Sequence, residues 1–169
     1  MYTKCIVQGT VESEKGFYIG DVCYVLTDDV YHEFWGCKKK FADGIFEVPG
    51  MCGIKFAVGG TAEGDGCYAD QLGHSFPVDA GVIGLVPIEL VKNMNKAMDL
   101  GLVVNTPGIA EFKSDDGIFS IVLPDGQTIE IDTHFNEGEY QADFYDDDDY
   151  DEDDDYYDDE EDEDEDDDF

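Results

Sequence analysis

The chain contains no arginine, and its nine basic residues are all lysines. Arginine supplies the planar, bidentate hydrogen bonds with which most nucleic-acid-binding proteins hold phosphates and base edges. Against these lysines stand 43 aspartates and glutamates, which give a formal net charge of −34. Because DNA, RNA and anionic membranes would all be repelled by such a charge, we expect the protein to bind none of them directly.

Metal-ligating residues are also scarce. The chain has three histidines and five cysteines, and the cysteines are spaced singly with no CxxC pair. This pattern predicts neither a zinc site nor a secreted disulfide framework, and it favours reduced thiols. The glycine-rich run at residues 59–66 lacks the lysine of a phosphate-binding loop. The sequence therefore predicts no cofactor and no metal.

Long apolar runs are missing as well. No stretch of about 18 apolar residues could form a membrane-spanning helix. Residues 1–11 lack the basic start and apolar centre of a signal peptide. We therefore expect a cytoplasmic location, with no membrane partner.

Composition divides the chain into two parts. Residues 143–169 consist of 21 acidic and six aromatic residues and nothing else. Their mutual repulsion prevents collapse into a core, so this part is predicted to be a disordered acidic tail. Residues 1–142 hold the remaining acids, all the lysines and most of the apolar residues. They are predicted to form one globular β-rich domain.

Two-residue alternation of apolar side chains dominates this domain and indicates β-strands. Residues 17–26 and 54–58 show the pattern, and turn residues separate three such runs within 109–132. The last region is predicted to be a three-stranded antiparallel meander. The fold class expected is α+β, mainly an antiparallel sheet or partial barrel with one main and one short helix.

The two helices are predicted from capping signals and helical spacing. Thr27 would cap a short helix over Asp28 to Trp35. The main helix would begin at Pro87 and end at Gly101. Its apolar stripe would place Met94 and Met98 in the core.

One set of side chains has the composition of a catalytic site. Cysteine activated by histidine and a carboxylate is a common nucleophile, and the same groups can bind a metal. Aspartates beside glycines more often cap the backbone of turns, so packing and capping are the favoured interpretation. The set comprises Asp21, Cys23, Asp65, Cys67, Asp70, His74 and Asp79.

The stretch from Tyr18 to Val25 reads YIGDVCYV, and part of it, Gly-Asp-x-Cys-Tyr, recurs at residues 64–68. With FPVDAGVIGLVPIEL at residues 76–90, this pattern resembles small uncharacterised proteins of bacteriophage and bacterial genomes. Val22 stands where those proteins usually have proline. The resemblance covers residues 17–90 and implies a phage-encoded protein without implying an activity.

The acidic tail has the charge spacing of a nucleic-acid strand. When extended, it carries one charge per about 4.4 Å, compared with about 3.4 Å along one DNA strand. Its aromatic rings offer faces for stacking, as bases do. Its last four residues resemble the ends of single-stranded-DNA-binding proteins, which dock on replication partners. The predicted partner-binding residues are Asp146, Asp147, Asp148, Asp149, Tyr150, Asp153, Asp154, Asp155, Tyr156, Tyr157, Asp166, Asp167, Asp168 and Phe169.

The sequence therefore predicts a non-enzymatic acidic protein that mimics nucleic acid. Its partner would be the basic surface of a nucleic-acid-handling host protein, such as a component of a host defence system. Two alternatives remain open at this point. One is a small hydrolase-like or metal-dependent enzyme that uses the Asp/Cys/His set, and the other is a structural or accessory protein whose tail keeps it soluble.

Overall fold

The computed structural model describes residues 6–31, 43–48, 50–51 and 53–136. The predicted tail, residues 143–169, lies outside these ranges, as does the lysine cluster at residues 38–40. Within the described ranges, every helix is too short or too polar to cross a lipid bilayer. The strands are β1 (Ile6–Ser13), β2 (Phe17–Gly20), β3 (Gly44–Glu47), β4 (Lys55–Gly60), β5 (Gly66–Ala69), β6 (Ser75–Val78), β7 (Val82–Pro87), β8 (Gly101–Val104), β9 (Gly108–Asp115), β10 (Ile118–Val122) and β11 (Thr128–Asp132).

These strands form two larger sheets and a hairpin, and their pairings are antiparallel. The first sheet has the order β1-β9-β10-β11 and the second has the order β3-β4-β7-β2-β8, while β5 pairs with β6. The predicted antiparallel β-rich fold is confirmed. The sheets do not close into a barrel, because β1 and β11 form the edges of one sheet and β3 and β8 the edges of the other.

The predicted meander is confirmed as β9, β10 and β11. Asp116 and Gly117 join β9 to β10, and both have positive φ, at 49° and 79°. A two-residue turn of this kind matches the twist of a β-hairpin, and glycine adopts it without steric cost. The inward-facing side chains of β10 and β11, such as Phe119, Ile121 and Ile129, are fully buried. Alternation in the sequence therefore identified both the strands and their buried face.

The core has two layers, one on each side of the second sheet. Between the sheets, Phe112, Phe119 and Ile129 of the first sheet share a cluster with Ile19 and Leu85 of the second. The opposite face of the second sheet carries another cluster. Because its central strands are buried on both faces, β7 is apolar along its whole length rather than alternating.

The main helix is much shorter than predicted. Helix α1 spans Met94–Leu100 and is capped by Asn93, whose side chain accepts a hydrogen bond from the backbone N–H of Lys96 at 3.1 Å. Pro87 ends β7 instead of starting the helix, and a 3-10 turn over Ile88–Leu90 follows it. The backbone N–H groups of Ile88 and Lys92 donate to Gly16 and Val25, so they are not available for a continuous helix.

The prediction for the buried face of the main helix is wrong, and the shorter predicted helix is described only in part. Met98 was expected in the core, but it is 64% exposed, and Ala97 is the buried residue of α1. The predicted helix at residues 28–35 is present over residues 28–31, and its remainder lies outside the described ranges. Thr27 caps it weakly, since its hydroxyl accepts from the N–H of Val30 at 3.4 Å.

The outer edge of β11 is covered by a side-chain amide. Gln71 donates from Nε2 to the carbonyl of Thr128 at 2.6 Å, and its Oε1 accepts from the N–H of Glu130 at 2.9 Å. The amide thus satisfies the same two groups that a neighbouring strand would. An exposed strand edge with free N–H and C=O groups is a template for pairing with another chain, so Gln71 blocks that site.

We predict that Gln71→Ala lowers the free energy of unfolding by about 1 kcal/mol, because two hydrogen bonds at an exposed edge are lost. It should also increase self-association in high salt, where the repulsion between chains is screened. Urea denaturation and sedimentation velocity test the two effects. Gln127→Ala, at another exposed glutamine, is the matched control. Equal stability and equal sedimentation of both variants would contradict an edge-covering role.

Candidate functional site

The Asp/Cys/His set predicted from the sequence is not one site in the folded chain. Asp21, Cys23 and Asp79 lie together at the end of β2. Asp70 and His74 form a separate pair in the turn between β5 and β6. In the described ranges, no three His, Cys, Asp or Glu side chains are placed to share a metal ion.

Asp21 is the buried centre of the first group, and its residue is fully inaccessible to solvent. Its Oδ1 accepts from the N–H of Cys23 at 2.9 Å and caps the 3-10 turn Val22–Tyr24. Its Oδ2 accepts from the N–H groups of Asp79 and Ala80 at 2.8 and 2.7 Å. Burial raises the pKa of Asp21, and these backbone donors oppose the rise. The carboxylate therefore joins the end of β2 to the turn between β6 and β7.

The residues before Asp21 shape its surroundings. Tyr18 is fully buried and donates from its hydroxyl to the carbonyl of Asp21 at 2.9 Å. Gly20 has a φ of 154°, and a Cβ there would collide with the Tyr18 ring. The Gly-Asp pair is thus explained by packing and capping. Its sequence echo, Gly64-Asp65, differs in structure, since Asp65 is exposed and precedes a strand instead of a 3-10 turn.

Cys23 was expected on a strand face but lies in the 3-10 turn and is half-buried. Burial raises the pKa of its thiol, and the carboxylates of Asp21 and Asp79 raise it further. Lys96 opposes this rise, and its ammonium group also lies 5.8 Å from the centre of the Tyr24 ring. Burial likewise raises the pKa of Tyr24, which hydrogen bonds to Asp79. Such surroundings disfavour a thiolate nucleophile.

Asp70 and His74 form an oriented carboxylate–imidazole pair. The Asp70 side chain is fully buried, and its Oδ2 lies 2.6 Å from Nδ1 of His74. Its Oδ1 accepts from the N–H groups of Leu72 and His74, which fixes the turn. With the proton on Nδ1, the Nε2 atom of His74 could act as a general base. The His74 ring is held by this contact with the Asp70 carboxylate.

Cys67, the other predicted thiol, is half-buried at the start of β5. Its backbone N–H donates to Oδ1 of Asn136 at 3.3 Å. The catalytic interpretation thus loses its geometry in the described ranges, while the capping interpretation is borne out for Asp21 and Asp70. All of the predicted partner-binding residues of the tail, from Asp146 to Phe169, lie outside the described residues.

The outer face of the first sheet is an acidic surface that the sequence analysis did not identify. Along β9, Glu111 and Asp115 are outward-facing, and Lys113 lies between them. Glu130 and Asp132 occupy the same face on β11. Hydrogen bonds from the backbone N–H and ring of His134 lower the pKa of Asp132, so it is ionised at neutral pH. In the sequence these charged residues alternate with Phe112, Ser114, Ile129 and Ile131, which are buried. That alternation could have identified the acidic face.

Comparison with known proteins adds no assignment: no family model, curated protein or solved structure matches this chain.

We predict that Asp21→Ala lowers the free energy of unfolding by about 2–4 kcal/mol, because three backbone N–H groups lose their acceptor at a buried site. Asp21→Asn should have a smaller effect, since its amide can still accept on one side. Urea denaturation followed by circular dichroism measures both. The control is Asp99→Asn, an exposed carboxylate of α1, which should change stability little. If Asp21→Ala is as stable as the control, the joining role is wrong.

Cys23 should react slowly with iodoacetamide at neutral pH. Its raised pKa keeps the thiol protonated up to a pH at which an ordinary cysteine, with a pKa of about 8.5, is ionised. Site-resolved mass spectrometry would compare its alkylation rate in the native and the urea-unfolded protein, and we expect at least a tenfold difference. Rapid native alkylation would instead support a nucleophilic role.

Proposed function

We propose that this protein binds the basic surface of a nucleic-acid-handling protein, and that its acidic C-terminal segment supplies most of the affinity. The observation that carries the proposal is the composition of residues 143–169, with 21 acidic and six aromatic residues in 27 positions. A surface that binds a nucleic-acid strand offers regularly spaced cations and stacking groups. This segment presents the complementary charge at a similar spacing.

The folded part supports the proposal through its own charge. The described ranges contain 19 acidic residues and five lysines. The last described residue, Asn136, follows shortly after β11, which contributes Glu130 and Asp132 to the acidic face. The acidic segment and the acidic face are therefore close in the chain. A basic partner attracted by one would also be attracted by the other.

The aromatic residues distinguish mimicry from simple solubilisation. A segment that only keeps a protein soluble needs charge, and aromatic rings work against that purpose. A mimic gains from rings that stack on the aromatic or arginine faces of its partner. Nucleases of host defence systems have such surfaces, and the resemblance to phage proteins makes them the first partners to test. This choice of partner is an analogy.

An enzymatic function is the second candidate, and the Asp70–His74 pair is the observation that favours it. The pair holds an imidazole in a fixed orientation beside a buried carboxylate, as general-base sites do. Cys23 lies at a separate place in the fold, so its alkylation rate tests a thiol nucleophile beside Asp21 and not at the Asp70–His74 pair.

We predict that replacing five tail aromatics with serine, while retaining every acid, weakens partner binding at least several-fold. Each stacked ring contributes about 1 kcal/mol or more. The readout is displacement of a fluorescent single-stranded oligonucleotide from purified nucleases and single-stranded-DNA-binding proteins. The residues to change are Tyr145, Tyr150, Tyr156, Tyr157 and Phe169.

The matched variant keeps these rings and replaces the tail acids with their amides, which should remove displacement and its salt dependence. Equal displacement by the serine variant and the unaltered protein would show that the tail acts through charge alone. If the unaltered protein displaces no oligonucleotide from any member of the panel, even in low salt, the proposed function is wrong.

A further inference from the structure

The outer face of the first sheet contains a groove that combines exposed apolar side chains with carboxylates. Its larger part, of about 490 Å³, is lined by residues that include Gln71, Ile118, Glu130, Asp132 and Phe135. A second part, of about 240 Å³, includes Lys113, Asp115 and Asp116 in its lining. Ile118 and Ser120 line both parts, so the two parts lie side by side across β9, β10 and β11, and together they are called the groove.

The strand register places an apolar residue between two acids. Ile118 is paired with Asp132 on one side and with Asp115 on the other. Paired residues in an antiparallel sheet point to the same face, so the three side chains form one row. Ile118 is 48% exposed, and Phe135 at the end of the groove is 73% exposed. Exposed apolar residues within a groove are typical of surfaces that bind another chain.

One carboxylate of this row, that of Asp115, is incompletely satisfied. The Oδ1 atom of Asp115 is buried and, among the described residues, has no hydrogen-bond partner. A cation bound to the other oxygen of this carboxylate would compensate for its reduced hydration. In the neighbouring row, Glu130 is exposed on one side of Ser120, and Lys113 lies on the other side. The groove therefore favours cations near Asp115, Glu130 and Asp132.

We infer that this groove binds an extended segment of the partner in which basic and apolar residues alternate along one face, that is, at every second position. The inference rests on the proposed function, and it assigns the partner a second contact with the folded domain. Every second residue of an extended segment projects to the same face, so a segment with basic and apolar residues in turn at these positions presents them in the order of the acidic and apolar side chains of the row. Charge selects this occupant: a second copy of the chain, its own acidic tail and nucleic acid all carry negative charge and would be repelled.

The groove and the tail would thus have different roles. The tail attracts any strongly basic surface, because 21 of its 27 residues are acidic. The groove adds a requirement for apolar side chains at defined spacing, so it would distinguish among basic partners. Since both contacts belong to one chain, weak binding in the groove would be strengthened by the tail's attraction.

The experiment compares two short fluorescent peptides with the full-length protein. One peptide repeats Lys-Ser-Leu-Ser, so that lysine and leucine alternate along one face of the extended chain, and the other has glycine in place of each leucine. The tail should bind both through charge, and we expect the leucine peptide to bind about fivefold to tenfold tighter because of apolar burial. Ile118→Ser and Phe135→Ser should remove this preference while binding of the glycine peptide stays unchanged. Glu130→Gln should weaken binding of the leucine peptide.

Ile109→Ser is the matched control, because Ile109 is 57% exposed on the same face of β9, and it lies outside both parts of the groove. It should keep the preference for leucine. Amide chemical shifts of Ile118 and Ser120 in the unaltered protein give a readout independent of any variant's folding, and they should move on addition of the leucine peptide.

Two outcomes would overturn the inference and separate it from the proposed function. Equal binding of both peptides, with no shift at Ile118 or Ser120, would show that only the tail binds, and the proposed function would stand. Loss of the preference in Ile109→Ser as well as in Ile118→Ser would show a nonspecific apolar effect. If neither peptide binds, both the inference and the proposed function fail.

Discussion

The buried carboxylate of Asp21 is the interaction on which the arrangement of the second sheet depends. It accepts hydrogen bonds from three backbone N–H groups. One belongs to the nearby Cys23, and the other two belong to Asp79 and Ala80, which lie 58 and 59 positions further along the chain. These contacts fix the end of β2 against the turn that leads into β7, and β2 is hydrogen-bonded between β7 and β8. A charged group in such a place is costly to bury, and it is tolerated because its hydrogen bonds replace those of water.

Charge in this protein is distributed so that the fold does not have to bury much of it. Among the described residues, Asp21 and Asp70 are the buried acids, and each carboxylate accepts several hydrogen bonds. Most of the other described acids lie exposed on outward faces of strands, in turns or on helices, where water hydrates them. Two apolar layers enclosing the second sheet provide the opposing stabilisation. The chain can therefore carry a strong negative charge and still contain a well-packed domain.

This separation of charge from core bears on how the protein would meet a partner. The acidic tail and the acidic sheet face have the same sign of charge, so they would repel one another and would attract the same class of molecule. The face differs from the tail in having a fixed strand register, which sets Ile118 between two carboxylates. A high density of charge gives attraction over a distance, whereas the strand register of the face gives a defined shape. The proposed binding to a basic partner depends on these two features.

The sequence by itself determined the antiparallel strands of the meander, the buried alternation of Phe119, Ile121 and Ile129, and the division of charge between domain and tail. These are local properties, because pleating, turn chemistry and repulsion between neighbours act over a few residues. The tertiary structure decided the length of α1, since the N–H groups of Ile88 and Lys92 bond to distant carbonyls. It also decided which members of the Asp/Cys/His set meet, and it placed Asp115, Ile118 and Asp132 in one row. Such outcomes depend on pairing between distant strands, which residue type and spacing do not specify.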